Sequence, residues 1–580
     1  MALTHPSASP AVIVKEIDLS GTIPNVQTST GAVVGNFGWG PIDQRTLVSS
    51  ETSLVSTFAS PSKDNAVDFL SAAYFLKYSS SLYVVRSNNG GGNASSDPIM
   101  ELNPDGTESD VIDESERPVV KNADHWNTLT DQDIHGSFIA KYAGVLGNAL
   151  QVSVCGPNGF SDWEYNDIFT SAPGTSDWAA ARNASNDEVH VVVVDYSGEI
   201  SGTPNTVLEV FEYVSVALGA KSTDGGNNFI GDVLDNQSKY VWFAGDASDA
   251  GWSPLTGTAP VIEDASDYSI SHFSLKLRGG VASKALDTAA ITNAFDLFVN
   301  AETVEVDFLI APQSVTAIDA DTVITHLEGI ARQRKDCIVV ASPDKTSIDG
   351  VNKATDVVAL SNLLPTSSYL VMDNNFVKVF DKYNNKYVNI PAASSTAGVM
   401  AASDIASAPW FSPAGARRGV YLGITDIVWN ADKSERDTLY KSSINPIANI
   451  PGQGVVLFGD KTHLKRPSAF DRINVRRLFL ALERAITVAG KNVMFEFNDE
   501  FTRAEFVNIV EPLLREIQGR RGLTDFKVVC DESNNTSEVV DRNEFVASIF
   551  IKPSRSINYV TLNFVAVRTG VVFEEIVGTV

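Results

Sequence analysis

The residue types that could carry out catalysis are present in this 580-residue chain, but they do not fall into the spacing of a known catalytic motif. The sequence contains no phosphate-binding GxxxxGK[ST] loop, no HExxH zinc motif, no EF-hand loop and no GxSxG nucleophile elbow. The glycines of GNFGWG at 35–40 are spaced wrongly for dinucleotide binding. We therefore expect a non-enzymatic protein with no catalytic residue, no cofactor and no metal site.

The histidines and cysteines support this interpretation. The seven histidines are scattered and no nucleophile motif accompanies them, so a Ser-His-Asp triad is not indicated. The SxxK match at Ser60–Lys63 lies in a turn without its companion motifs. The three cysteines are too far apart for a zinc pattern or a disulfide framework, which favours a reducing compartment.

One cluster of basic residues stands out. Residues 460–491 include eight lysines and arginines but only three carboxylates, so this segment is positively charged. The whole chain, in contrast, has a net charge of −27. The spacing of Arg472, Arg476 and Arg484 places them on one side of a predicted helix at 472–489, opposite its apolar stripe. This side is either a solvated surface or a docking surface for an acidic partner.

The acidic charge belongs to the first 450 residues, because residues 451–580 hold 17 basic and 17 acidic side chains. An acidic surface repels phosphates, so nucleic-acid binding and binding to anionic membranes are not expected. No apolar run is long enough for a transmembrane helix, and the first residues do not resemble a secretory signal.

The hydrophobic patterns predict a multidomain α/β and α+β protein with five regions. Helices at 64–78, 288–300 and 321–334 alternate with apolar strands at 31–39, 82–86, 306–310, 337–341 and 369–372, typical of a mainly parallel sheet. Strands at 150–155, 188–194 and 206–214 suggest a β-sandwich or a similar sheet, preceded by an acidic excursion at 97–140. The predicted regions are an N-terminal arm (1–20), an α/β core (21–96 and 276–445), a β-rich insertion that faces outward (97–275), an α+β C-terminal domain (446–569) and a C-terminal arm (570–580).

The sequence predicts a strand near each end of the chain. Residues 11–19 alternate, with Val12 and Val14 on one face and Ile17 on the other, and residues 570–580 are apolar, with Val571, Phe573 and Ile576. A free strand edge invites pairing with another chain. The two segments either fold back on their own domain or add a strand to a neighbouring copy.

Several long stretches, in the right order, resemble contractile tail sheath proteins of myovirus-type phages, especially the T-even-like branch. The stretches that carry the resemblance are GAVVGNFGWGPIDQRTLVSS, DFLSAAYFLKYSSSLYVVR, KYAGVLGNALQVSVC, INPIANIPGQGVVLFGDKTH, RINVRRLFLALERAI, FEFNDEFTRAEF and FVASIFIKPSRSINYVTLNF. The last four are the most specific. The acidic segment 97–140 has no clear counterpart in the family.

The resemblance implies a function for the whole chain. Six copies would form a ring, rings would stack helically around a tail tube, and the sheath would shorten when the baseplate triggers it, driving the tube through the host envelope for genome ejection. The core would be similar to a subtilisin-like fold without protease activity. Expected partners are further copies, the tube protein, the baseplate and the tail terminator, within a virion tail assembled in the host cytoplasm.

The same resemblance assigns roles to two groups of residues. The C-terminal domain would face the tube, and its basic residues would grip the tube electrostatically: Lys465, Arg466, Arg472, Arg476, Arg477 and Arg484. The two terminal arms would exchange strands with neighbours. Alternatives are the sheath of a phage-like bacteriocin or injection device, a subtilisin-like hydrolase, and a receptor-binding protein.

Overall fold

The computed structural model of the chain describes residues 29–96, 100–102, 108–112, 118–129, 136–245 and 271–558. The predicted arms at 1–20 and 570–580, with Val12, Val14, Ile17, Val571, Phe573 and Ile576, lie outside the described residues. Part of the acidic excursion, at 97–99, 103–107, 113–117 and 130–135, also lies outside them.

The described residues form twenty-one strands. Their bounds are β1 Gly31–Gly35, β2 Thr46–Val48, β3 Leu82–Arg86, β4 Met100–Leu102, β5 Glu108–Ile112, β6 Phe138–Ala140, β7 Leu150–Cys155, β8 Glu188–Asp195, β9 Thr206–Ser215, β10 Val241–Phe243, β11 His272–Lys276, β12 Phe308–Ile310, β13 Ile338–Ala341, β14 Leu370–Met372, β15 Phe376–Asp381, β16 Lys386–Pro391, β17 Asp426–Ile427, β18 Ile447–Ile450, β19 Gly454–Leu457, β20 Leu523–Val529 and β21 Ser548–Pro553.

Fourteen α-helices accompany the strands in the same described residues. Their bounds are α1 Glu51–Phe58, α2 Ala66–Phe75, α3 Ala123–Trp126, α4 Asp177–Ala180, α5 Ile230–Gln237, α6 Thr288–Phe295, α7 Ala317–Arg334, α8 Lys345–Asp349, α9 Lys353–Leu363, α10 Ala393–Ala406, α11 Lys433–Lys441, α12 Ile473–Asn492, α13 Glu500–Gly519 and α14 Ser537–Asp541.

A six-stranded sheet lies at the centre of the α/β core, with strand order β14-β13-β12-β1-β3-β2. All neighbours pair in parallel except the edge strand β2, which is antiparallel to β3. β1 is buried along its whole length: Val33 joins the hydrophobic cluster on one face, and Ala32 and Val34 join the cluster on the other. A short apolar strand without polar alternation is what burial on both faces requires. The predicted parallel sheet is therefore present.

Helices cover both faces of this sheet. α2 and α10 contact each other, and both contact sheet strands. α6 and α7 also contact each other and strands of the sheet. The hydrophobic clusters assign α2 and α10 to one face and α6, α7 and α9 to the other.

The region between β3 and β12 holds a four-stranded antiparallel sheet of order β11-β7-β8-β9 and a separate two-stranded sheet of β6 and β10. The chain enters and leaves it through two short segments that bridge each other at Gly92 and Val281 and at Ser95 and Arg278. Neighbouring entry and exit segments are typical of an insertion into a loop.

The chain divides into two compact units, and the main division follows Ala485, inside α12. Residues 24–409 and 413–485 form the larger unit. The smaller unit includes residues 410–412 and the chain from 486 onwards. In the smaller unit α13 contacts β20, which pairs with β21. α13 buries Phe506, Val510, Leu514 and Ile517 at helical spacing, and Pro512 lies within it. The predicted C-terminal domain begins at 446 instead, and the five predicted regions stay predictions.

Candidate functional site

The basic cluster that the sequence singles out lies on α12 and on the segment leading into it. α12 buries Val475, Leu478 and Leu482, as its apolar spacing predicts. The arginines between those positions belong to the larger unit, and their partners do too.

Arg476 and Arg477 are buried among loops and helices of the α/β core. The Arg476 guanidinium donates from Nε and Nη2 to the Ser368 hydroxyl at 3.1 and 2.8 Å, and lies over the rings of Tyr369 and Phe470. Arg477 forms a bidentate ion pair with Asp404 of α10. A guanidinium has five fixed donors, so these multiple contacts hold α12 in one orientation.

Arg484 and Arg472 are paired in a similar way. Arg484 Nη2 lies 2.8 Å from Asp307 Oδ1 and donates to the Asp336 carbonyl at 2.9 Å. Burial raises the pKa of Asp307, and the charge of Arg484 opposes that shift. Arg472 Nη1 donates to Asp460 at 3.0 Å and to the Tyr440 hydroxyl at 2.6 Å.

The expectation that Arg472, Arg476 and Arg484 form an exposed helical face is wrong. Arg476 is buried, and the side chain of Arg484 is about one-tenth exposed and paired inside the unit. The sequence could not show this, because Asp307, the partner of Arg484, lies 177 positions away along the chain, and Ser368, the partner of Arg476, lies 108 positions away. Arginine forms such buried pairs because its planar fork matches a carboxylate.

Lys465 and Arg466 differ from the arginines of α12, because both are exposed. Lys465 Nζ donates to the Ser361 carbonyl at 2.8 Å and to Asn362 Oδ1 at 3.0 Å. They are the members of the predicted set with the most solvent-accessible side chains. Tube contact by the set stays a prediction.

A second polar cluster, which the sequence analysis missed, lies at the carboxyl ends of β13 and β14. The Asp373 carboxylate accepts hydrogen bonds from the Ser342 and Thr396 hydroxyls at 2.8 Å each, and Thr396 is 2.8 Å from the Tyr421 hydroxyl. All four side chains are buried. Burial raises the pKa of Asp373 to about 7. The Ser342 hydroxyl accepts from the backbone N–H of Ala393, so the cluster fixes the start of α10 against the sheet.

The structure brings one serine hydroxyl near a histidine ring, at Ser361 and His463. Ser361 Oγ and His463 Nε2 are 3.5 Å apart, and Nε2 also lies 3.1 Å from the Ser361 carbonyl oxygen. Both residues are fully buried, and burial lowers the pKa of His463 to about 4. A hydrolase nucleophile must reach substrate, so this pair is not the exposed Ser and His that the hydrolase alternative requires.

Within the described residues, no cluster of three or more His, Cys, Asp or Glu side chains is arranged to hold a metal ion. None of their helices combines the length and the apolar character needed to cross a membrane.

Comparison with known proteins identifies the family. Residues 284–463 match the phage tail sheath protein central domain, and residues 465–566 match the phage tail sheath C-terminal domain. The tail sheath protein of Enterobacteria phage T4 is 31% identical over 653 aligned positions, which cover 98% of this chain and 99% of the relative. The tail sheath protein of Vibrio phage KVP40 is 30% identical, with the same two coverages. The chain belongs to the phage tail sheath family.

The fold of this sheath subunit is shared with distant solved structures. A sheath tail protein from Listeria innocua superposes with a TM-score of 0.53 at 12% identity, covering 92% of this chain and 97% of that one. The similarity supports a mixed α/β architecture with several sheets. It does not establish the subtilisin-like topology expected for the core.

The free strand edges of the sheath subunit are relevant to how it assembles. β20 and β21 form a two-stranded sheet, and no other described strand pairs with either outer edge. Two strands alone are marginally stable in water. The sheet therefore has room for further strands on both sides.

Proposed function

We propose that this subunit forms six-membered rings that stack helically around a phage tail tube, and that the assembled sheath contracts. The observation that carries the proposal is similarity along almost the whole chain to the tail sheath proteins of two myophages. Contraction would drive the tube through the host envelope for genome ejection. The baseplate would trigger it, and a tail terminator would end the stack.

Strand exchange would hold neighbouring copies together. The unpaired edges of the β20–β21 sheet support this step, because an exposed edge accepts an extended segment through main-chain hydrogen bonds. Residues 1–20 and 570–580 are the segments we propose to pair with neighbours. A contact in which one patch binds a different patch can propagate without closing, as a helical sheath requires.

The force for contraction would come from rearranged contacts between copies and not from catalysis. The buried arginine pairs support this proposal, since they fasten α12 to the α/β core and favour movement of the larger unit as a rigid body. Neither an enzymatic activity nor a cofactor is needed for such a device. We also propose that the α/β core has a subtilisin-like topology. The sheath is a component of the virion tail, and we propose that it assembles in the host cytoplasm.

The contact with the tube would use the exposed basic residues Lys465 and Arg466. Exposed ion pairs contribute only about 0.2–1 kcal/mol each, so many copies could hold the tube and still release it. Co-expression with a phage tail tube protein, followed by electron microscopy, tests the proposal. We expect sheathed tubes with the native chain, and bare tubes when Lys465→Glu and Arg466→Glu are combined. Sheathed tubes from the doubly reversed chain would refute the basic contact, and bare tubes with the native chain would refute the function.

A further inference from the structure

The connection between α12 and α13 exposes a cluster of large apolar side chains. Met494, Phe495, Phe497 and Phe501 have exposed fractions of 58, 100, 83 and 76%. Single exposed apolar residues are common, but four within eight positions mark an interaction surface. We name residues 494–501 the aromatic loop.

The aromatic loop is held in place although its rings face solvent. Asn498 Nδ2 donates to the Glu544 carbonyl at 2.7 Å, and the Asp499 side chain accepts from the backbone N–H of Thr502 at 2.9 Å as the N-cap of α13. Phe495 has a left-handed backbone with φ of 70°. A loop fixed before binding loses little conformational entropy when it docks.

The charged residues of the aromatic loop are all carboxylates. Glu496, Asp499 and Glu500 are exposed, and no lysine or arginine lies between 494 and 501. An apolar surface with acidic neighbours is best matched by an apolar pocket with a basic rim.

The larger unit contains a pocket of that kind. A cavity of about 310 Å³ lies beside β16, with Val67, Ile348, Phe376, Val388 and Val428 among its lining residues. Four consecutive residues of β16, at 386–389, line it. Successive side chains of a strand point to opposite faces, so the cavity follows the edge of β16, which no described strand covers.

Two of the three charged residues that line the pocket are basic. Lys345 and Lys386 line it together with one carboxylate, Asp349. Among the described residues neither lysine forms an ion pair. Tyr387, more than half exposed, lies at the rim. Two lysines without a carboxylate partner stand out in a chain of net charge −27.

We infer that the aromatic loop of one copy docks into the β16 pocket of a second copy. Phenyl rings of the loop would fill the apolar floor, and Glu496 would lie beside Lys386 and Lys345. The inference rests on the proposed function, because it assumes assembly between copies. The contact joins two different patches, so each copy offers one loop and one pocket and the chain of contacts can continue.

Charge reversal tests the contact through sheath formation, measured by pelleting and electron microscopy. We expect Glu496→Lys and Lys386→Glu each to lower the yield about tenfold or more, because each places like charges together at a buried contact. A chain carrying both reversals should assemble again. The matched controls Glu505→Lys and Lys433→Glu change exposed charges outside the loop and the pocket and should assemble normally.

A second measurement does not depend on assembly yield. Phe497→Cys and Tyr387→Cys are made in separate chains, mixed and oxidised; the three native cysteines are buried. We expect a disulfide-linked dimer in the mixture and not in either chain alone. Circular dichroism identifies any variant that fails to fold.

The outcomes separate this inference from the proposed function. A native chain that assembles, together with a double reversal that does not recover and a mixture without cross-linked dimer, overturns the docking contact alone. A native chain that never forms rings or tubes overturns the proposed function and the contact together.

Discussion

Arg477 and Asp404 form an ion pair in which both side chains are almost completely buried, with exposed fractions of 5 and 4%. Removing one partner of such a pair leaves an uncompensated charge in the protein interior. The cost of that charge is far larger than the loss of an exposed pair, since water cannot solvate it. The role of the basic residues around α12 can therefore be measured one residue at a time.

We expect Asp404→Ala to lower the free energy of unfolding by about 3–5 kcal/mol. The exposed control Arg466→Ala should change it by less than about 0.5 kcal/mol. Urea unfolding followed by tryptophan fluorescence measures both. Equal effects of the two substitutions would contradict the buried role of the Arg477–Asp404 pair.

Asp373 and Asp68 make stability depend on pH. Burial raises the pKa of Asp373 from 3.8 to about 7 and that of Asp68 to about 6. A carboxyl group whose pKa is raised by folding binds its proton more tightly in the folded state. Its contribution is fully present below the unfolded pKa of 3.8 and is lost as the pH rises through the folded value.

We therefore expect the native chain to lose stability between pH 4 and 7 through these two groups, and Asp373→Asn to reduce that loss. The measurement is the urea midpoint at pH 5 and at pH 8. The exposed control Asp167→Asn should keep the native difference between the two pH values. If Asp373→Asn also keeps that difference, the carboxyl group does not titrate as described.

The residue types of these sites were visible in the sequence, but their partners were not. The spacing of Arg472, Arg476 and Arg484 identified a shared side of α12. Whether that side meets solvent or polar partners depends on Asp307 and Ser368, which come from distant segments. The sequence did not indicate the Asp373 cluster either, because the parallel sheet brings Ser342 close to Asp373 and the packing of α10 brings Thr396 close.

At the scale of elements, helices with one apolar side were predicted well. The predicted helix 472–489 is α12, Ile473–Asn492, and the predicted helix 321–334 lies within α7, Ala317–Arg334. α10 was missed because most of it is buried on all sides, so its small residues show no apolar periodicity. The β15–β16 hairpin was also missed, although its alternating strands and the Asn384-Asn385 turn, with Asn385 at φ 49°, could have indicated it.

The close packing of α10 against Tyr78, three residues after the end of α2, depends on Gly398. A Cβ atom at this position would lie 2.3 Å from the ring of Tyr78, a distance at which atoms overlap. Alanine is normally the better helix former by up to about 1 kcal/mol, so a steric cost has to exceed that gain.

We expect Gly398→Ala to destabilise the chain by about 1–3 kcal/mol through overpacking. Gly329→Ala in α7 is the matched control, because nothing lies within 4 Å of its added Cβ. That control should be neutral or stabilising by up to about 1 kcal/mol. The check is the shift in urea midpoint of each variant, and a stable Gly398→Ala chain would show that α10 and the Tyr78 ring do not approach this closely.

At the scale of the whole molecule, the sequence indicated a chain that completes its sheets with neighbours. No described strand pairs with either outer edge of the β20–β21 sheet. Helices cover both faces of the six-stranded sheet. Strand pairing at the edges of the β20–β21 sheet would use backbone groups, so changes to side chains test it poorly. Removal of a terminal segment is the more direct approach.

We expect chains lacking residues 1–19 or residues 570–580 to stay soluble and folded but unable to polymerise. Sedimentation velocity measures their size, and circular dichroism measures their secondary structure. Substituting Phe573→Ala without truncation distinguishes side-chain packing from main-chain pairing. Full-length sheaths built by either truncated chain would rule out strand exchange by that segment.

Electron microscopy of the purified chain over a series of protein concentrations shows directly whether copies of this sheath subunit assemble with one another. We expect six-fold rings or tubes whose number rises with concentration. A chain that stays monomeric and folded at every concentration would contradict this expectation.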